Sequence, residues 1–424
     1  MEDDGLMRKI MIFTVTVMLL CPLLLAQVVN SRAGEMEMAR TQKAQAPQPD
    51  QPTKIERMFA FIEKKVPART GGGKGGFRPK VGSLVSGSGL SLGLEYLRRD
   101  LAGGRFVFRS AAQASFRTYQ KYDLQFSVPR FARNRLFLDL YSVHRNYPGI
   151  NYYGPGPDSA RGSRSNFRLE DTEFVGTLGV RPVSHLHVGA TLGYLMNNVG
   201  PGTDSRFISS EQVFSAPETP GIDRQADFFR PGAFVQYDYR DNPGGPRSGG
   251  NYIVQFTRYE DRTLGLHDFG RLDLEIQQYI PFFNRRRVLA LRGKSVLTFP
   301  DKDQRVPFYL QPVLGGSDDL RGFRRFRFYD DNLLVVNGEY RWEVFSGMDM
   351  ALFVDAGKVF RRHAQWNFKD VEGSAGFGFR FNVRNNVFLR LDVGFSHEGF
   401  QVGMRFSPIF GGGPIASEGT QSIF

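Results

Sequence analysis

From Phe77 to Phe410 apolar and polar residues alternate with a period of two. In "LSLGLEYL", Leu90, Leu92, Leu94 and Tyr96 share one face, and Ser91, Gly93 and Glu95 the other. In "HVGATLGYLM", Val188, Ala190, Leu192, Tyr194 and Met196 alternate with Gly189, Thr191 and Gly193. In "NVFLRLDVGF", Val387, Leu389, Leu391, Val393 and Phe395 oppose Phe388, Arg390, Asp392 and Gly394. Successive side chains of a strand point to opposite faces, so this period predicts strands with one apolar and one polar face. About sixteen such segments fit between 77 and 410, separated by turns such as "RDNPGGPRSGG" (240–250) and by longer polar loops.

Each segment is near the ~9–11 residues that a tilted strand needs to cross a bilayer. The polar faces carry arginine, glutamate and many glycines, which suits a wet lumen with lipid outside. Backbone groups in lipid must be paired internally, so the segments are expected to close on themselves. The prediction is an all-β fold: a transmembrane antiparallel β-barrel of about sixteen strands. Tyr96, Tyr194, Tyr340, Trp342 and Phe360, near strand ends, fit interfacial girdles.

The stretch before Phe77 reads differently. Arg8 and Lys9 precede an apolar run from Ile10 to Leu25, the pattern of a signal peptide over 1–26, with cleavage after Ala26 or as late as Ala33. The acidic "MEDDG" ahead of it is unusual for a signal peptide and suggests a start at Met7; an N-terminal anchor is the alternative. Residues 34–76 read as a periplasmic linker. Within it, Thr53 and Glu56 have capping-box spacing, and Ile55, Phe59, Ile62 and Val66 recur at helical intervals over about 54–66. A plug, a membrane-surface helix, a docking helix or a frayed linker would each fit that short helix. The barrel takes 77–410 and a tail takes 411–424. An export signal followed by such strands predicts the bacterial outer membrane.

Composition narrows the chemistry. The net charge of +12 favours acidic partners or an acidic membrane surface without choosing between them. The single cysteine, Cys21, lies in the leader, so no disulfide forms within the chain. His185 and His187 share a strand face, but two ligands without an acidic or cysteine neighbour make a weak metal pair. No nucleophile elbow, paired-carboxylate cleft or nucleotide loop stands out. The expectation is no enzyme activity, no metal and no cofactor. "SDDLRGFRRFRF" (317–328) has the arginine and aromatic content of an RNA-binding tract, yet it lies between two strands of the predicted barrel.

That location changes its meaning. "FYLQPVLGGSDDLRGFRRFRFYDDNLLVVNGEYRWEVFSGMDMALFVDAGKVF" resembles the BamA/TamA family of outer-membrane barrels, also called the bacterial surface antigen family. The hallmark tetrapeptide, Val/Ile-Arg-Gly-Phe/Tyr, stands here as Leu320, Arg321, Gly322 and Phe323, with a mild departure at the first position. The resemblance covers about 77–410. It implies that the loop folds into the lumen and that Arg321 pairs with Glu339 and Asp355. Parity agrees: Leu334, Val336, Tyr340, Trp342 and Val344 face lipid, so Glu339 faces in; Met348, Met350, Leu352, Val354 and Ala356 face lipid, so Asp355 faces in. "QVGMRFSPIF" resembles a terminal-strand assembly signal, carried by Gly403, Phe406 and Phe410, with Val402, Met404, Phe406 and Phe410 on one parity.

The resemblance implies insertion or translocation of proteins, or of lipids, through a weak seam between the first and last strands. Glycine-rich "KVGSLVSGSG" is compatible with such a seam. The stretch before Phe77 is too short for a POTRA domain, so a separate periplasmic partner or the 54–66 helix is expected to serve instead. The partners implied are outer-membrane lipid and a client or periplasmic protein, with no nucleic acid. A passive pore, or a structural barrel anchoring a partner, is the alternative.

Overall fold

The computed structural model describes residues 75–406 apart from 83, 86 and 384, together with Phe410. The expected signal peptide, the expected 54–66 helix and the 411–424 tail lie outside the described residues.

Sixteen strands form one antiparallel sheet in chain order, rolled into a nearly closed barrel. The first half is β1 (Gly76–Gly82), β2 (Ser91–Leu101), β3 (Phe106–Ser115), β4 (Gln120–Phe131), β5 (Leu136–Tyr152), β6 (Ser165–Val180), β7 (Leu186–Pro201) and β8 (Phe228–Asp238). Next come β9 (Gly249–Asp261), β10 (Phe269–Phe282) and β11 (Arg287–Pro300). The connection 301–331 holds a separate two-stranded ribbon of β12 (Val313–Leu314) and β13 (Phe328–Tyr329). The barrel resumes with β14 (Asn332–Phe345), β15 (Met348–Phe360), β16 (Glu372–Val383), β17 (Asn386–Ser396) and β18 (Gly399–Arg405).

The two faces are inverted relative to a soluble protein. Leu92, Leu192, Val254 and Ile276 are exposed on the outer wall, Ile276 by 60%. Arg109, Asp123, Arg145, Asp171, Arg292 and Asp355 are buried inside. Water-excluded charges need partners, and these have them: Arg145 donates to both Asp171 and Glu173.

Short turns lie at one end and long loops at the other, the pattern of periplasmic and extracellular ends. At the long-loop end the interior is apolar. β5, β6 and β7, the longest strands, meet the 301–331 connection in an aromatic dome of Tyr147, Tyr152, Phe167, Phe308 and Tyr329. The Phe308 ring centroid lies 4.9 Å from that of Phe167 and 5.2 Å from that of Tyr152. Burying each such ring contributes roughly 1.5–3 kcal/mol. At the short-turn end, the 239–248 turn reaches across to distant strands. Val387 N–H donates to the Gly244 carbonyl at 2.8 Å, and Arg247 pairs with Asp349 at 2.7 Å.

Four residues depart from the expectation. Leu334 is buried although it stands on the lipid side. Phe360 is buried and not interfacial. A bulge at Phe381/Asn382 pairs Val387 with Asn382, so Val387 leaves the lipid face. The last strand ends at Arg405, and Phe410 lies buried against Tyr279, Val288 and Ala290 instead of continuing the outward row of Val402 and Met404. Val387 and Phe410 depart because alternation holds only while the ladder is regular, and Leu334 because the 361–371 segment covers it.

Candidate functional site

The 301–331 connection folds into the barrel because its sequence supplies an anchor for each section of wall. Gly315 and Gly316 both have positive φ, at 115° and 100°, where L side chains are strained. Gly316 and Leu320 exchange backbone hydrogen bonds of 3.2 Å, closing a tight loop that presents Ser317, Asp318 and Asp319 at its tip. Leu320 and Phe323 are buried with Leu314, Phe328, Leu333, Val335 and Val359.

Between these apolar residues sits Arg321. Its Nε and Nη2 donate to the two Asp355 oxygens at 2.9 and 2.7 Å, and its backbone N–H donates to Asp355 Oδ2 at 3.1 Å. Nη1 donates to Glu339 Oε2 at 2.5 Å. The guanidinium carbon lies 3.5 Å from the Phe353 ring centroid, a cation–π contact. Only a planar fork reaches two carboxylates and stacks on a ring at once. Glu339 also accepts from Arg341 at 2.7 Å and from Arg380 at 2.7 Å, so one carboxylate compensates three guanidiniums.

Gly322 is needed for close approach, not for a special φ. A Cβ there would sit 2.6 Å from the Phe395 carbonyl oxygen and 2.6 Å from the Ser374 Cβ. Gly403 on β18 also faces the loop, since its Cβ would lie 3.2 Å from the Ser317 side chain. Phe406, the other terminal-strand residue, meets Phe388 edge-on at 5.8 Å.

Sequence reasoning missed the acids at the tip. Asp319 accepts from Arg292 of β11 at 2.8 Å. Asp318 accepts from Arg390 of β17 at 3.1 Å and from Arg405 of β18. Burial alone would raise the Asp318 carboxyl, but Arg405, Arg390 and Arg325 outweigh it and hold it far below the usual carboxylate range. Arg327, given no role from sequence, ties the loop to Glu398 at 2.7 Å and to the Ser159 carbonyl at 2.7 Å. The inward parity of Arg390 and Arg405 was the available signal: unpaired lumen arginines call for acids from elsewhere.

The loop therefore bonds to β11, β14, β15, β17 and β18. The strands at the seam are short. β1 and β18 have seven residues each, against ten to seventeen in the other barrel strands. β1 pairs with β2 and β18 with β17, and no ladder joins β1 to β18 among the described residues. Gly82 and Phe406 bring the two edges near each other: a Cβ on Gly82 would lie 3.9 Å from the Phe406 ring. His185 occupies a turn and bonds the Asp238 carbonyl, apart from His187, whose ring meets Phe137.

Comparison with known proteins adds the following. Residues 101–406 match the Omp85 superfamily domain. No curated protein matches the sequence. In fold, the chain is similar to BamA from Haemophilus ducreyi lacking POTRA domains 1–3, with a TM-score of 0.59 at 17% identity over 79% of this chain and 69% of that one. It is similar to CdiB from Escherichia coli with a TM-score of 0.53 at 13% identity, covering 80% of this chain and 63% of that one.

Proposed function

Since the chain belongs to the Omp85 superfamily of outer-membrane barrels, we propose that it admits client polypeptide at the β1/β18 edge, for insertion or translocation. One observation carries this reading: among the described residues the two seven-residue edge strands have no ladder to each other, while the 301–331 loop bonds the wall beside one of them. An open edge offers unpaired N–H and C=O groups, and a client strand pairs with it by β-addition. The loop holds β14–β18 as a rigid unit, so that the edge at β1 yields first. Small residues and a short β1 keep the cost of separation low.

The passive-pore reading needs a water path along the barrel axis. The aromatic dome and the seated loop occupy that path, which supports a lateral route instead. The test is a Gly82→Cys/Phe406→Cys pair, oxidised or bridged by a short bifunctional thiol reagent in native membranes. Loss of client assembly on cross-linking, restored by reduction, is the expected result. Unchanged assembly with a locked seam overturns the lateral route.

A further inference from the structure

The segment 361–371, "RRHAQWNFKDV", joins β15 to β16 at the long-loop end and folds down over the outer wall. His363 Nε2 donates to the Thr298 carbonyl at 2.9 Å, and Trp366 Nε1 donates to Ser295 Oγ at 3.1 Å. Lys358 Nζ donates to Asn367 Oδ1 and to the Lys369 carbonyl, both at 3.0 Å. Ser295, Leu334 and Lys358 are register partners in one outward row, which places Leu334 beneath the flap. All three are buried there, where other outward positions are exposed. A protein flap thus replaces lipid over the upper part of β11, β14 and β15.

The flap's free surface has two kinds of side chain. Trp366 and Phe368 are 54% and 69% exposed. Arg361, Arg362 and Lys369 are exposed beside them, with Asp370 the one acid in the segment. Arg361 pairs with Asp330 at 3.5 Å; Arg362 and Lys369 make no ion pair among the described residues. Exposed aromatic rings under a cationic rim match the boundary where acyl chains meet phosphate groups. We propose that this flap is a binding site for the phosphorylated lipid of the outer leaflet. Trp366 and Phe368 enter the acyl boundary, and Arg362 and Lys369 take the headgroup phosphate. The site rests on the outer-membrane placement and is independent of the client-handling role.

The chain has two tryptophans, Trp342 and Trp366, so Trp342→Phe leaves Trp366 as the sole tryptophan, excited selectively over tyrosine. The full chain with that change is placed in phosphatidylcholine vesicles with and without a bisphosphorylated disaccharide glycolipid. The glycolipid is expected to blue-shift Trp366 emission and to reduce its quenching by aqueous acrylamide several-fold. Adding Arg362→Gln/Lys369→Gln is expected to raise the glycolipid concentration needed by roughly thirtyfold. Heat-modifiable migration on gels checks that each variant is folded. If the double variant does not fold, Lys369→Gln alone, expected to shift the titration by about fivefold, takes its place. Equal quenching with and without glycolipid, or an unmoved titration in the variant, overturns the proposal. So does an equal effect of inorganic phosphate, or shielding in phosphatidylcholine alone that rises with protein density, which would assign the flap to a second copy.

Discussion

The Gly394 backbone lies so close to Arg321 that a Cβ added to Gly394 would stand 2.5 Å from the Arg321 carbonyl carbon and oxygen. The loop is thus seated backbone against backbone on β17, and the arginine fork is one part of a larger fit. Gly394→Ala is expected to lift the loop while leaving every charge in place. Limited proteolysis of the folded barrel should then cut within 317–327, where the unaltered protein is expected to resist.

Charge removal should rank by what is left unpaired. Arg321→Ala removes a buried cation from two carboxylates and should cost roughly 3–5 kcal/mol. Arg321→Lys should recover little, because an ammonium cannot reproduce the fork or the stacking on Phe353. Glu339→Gln should destabilise at least as much, since three guanidiniums lose their shared anion. Chemical unfolding in detergent, followed by tryptophan emission, gives the order.

The tip acids carry a pH signature. Asp318 is held below its ordinary range in the folded state, so its contribution is complete above about pH 4 and is lost as pH falls further. Loop protection against an acid-active protease should be flat from pH 7 to about 5 and should drop below about 4. Asp318→Asn should remove that drop and loosen the loop at neutral pH. An unchanged profile in the variant would show that another group sets it.

Phe410 is a packing residue in this fold. Its ring lies 6.4 Å from that of Tyr279 and 5.4 Å from the Arg292 guanidinium carbon. Phe410→Ala should cost about 3 kcal/mol, the low end for a buried phenylalanine. A terminal-strand signal alone would predict slower assembly with normal stability of whatever protein does assemble, so thermal melting of the purified barrel separates the two roles.

The strand count, the two faces and the inward placement of Glu339 and Asp355 were legible because period-two alternation reports a local property of the pleat. What escaped depends on distant chain. Leu334 looks like any lipid-facing leucine until a flap thirty residues later covers it. Val387 obeys the alternation of its own strand, but a bulge in register with β16 turns it over. Asp318 and Asp319 sit in a loop without periodicity, so nothing local distinguishes a pinned aspartate from a solvated one. The dome is assembled from the upper ends of β5, β6 and β7 and the 301–331 connection, and no one of these stretches signals alone that it meets the others.

That dome bears on how the cell can use the protein. Tyrosine and phenylalanine packed inside the outward end narrow the barrel there, so added copies are expected to leak less into the envelope than an open porin of the same girth.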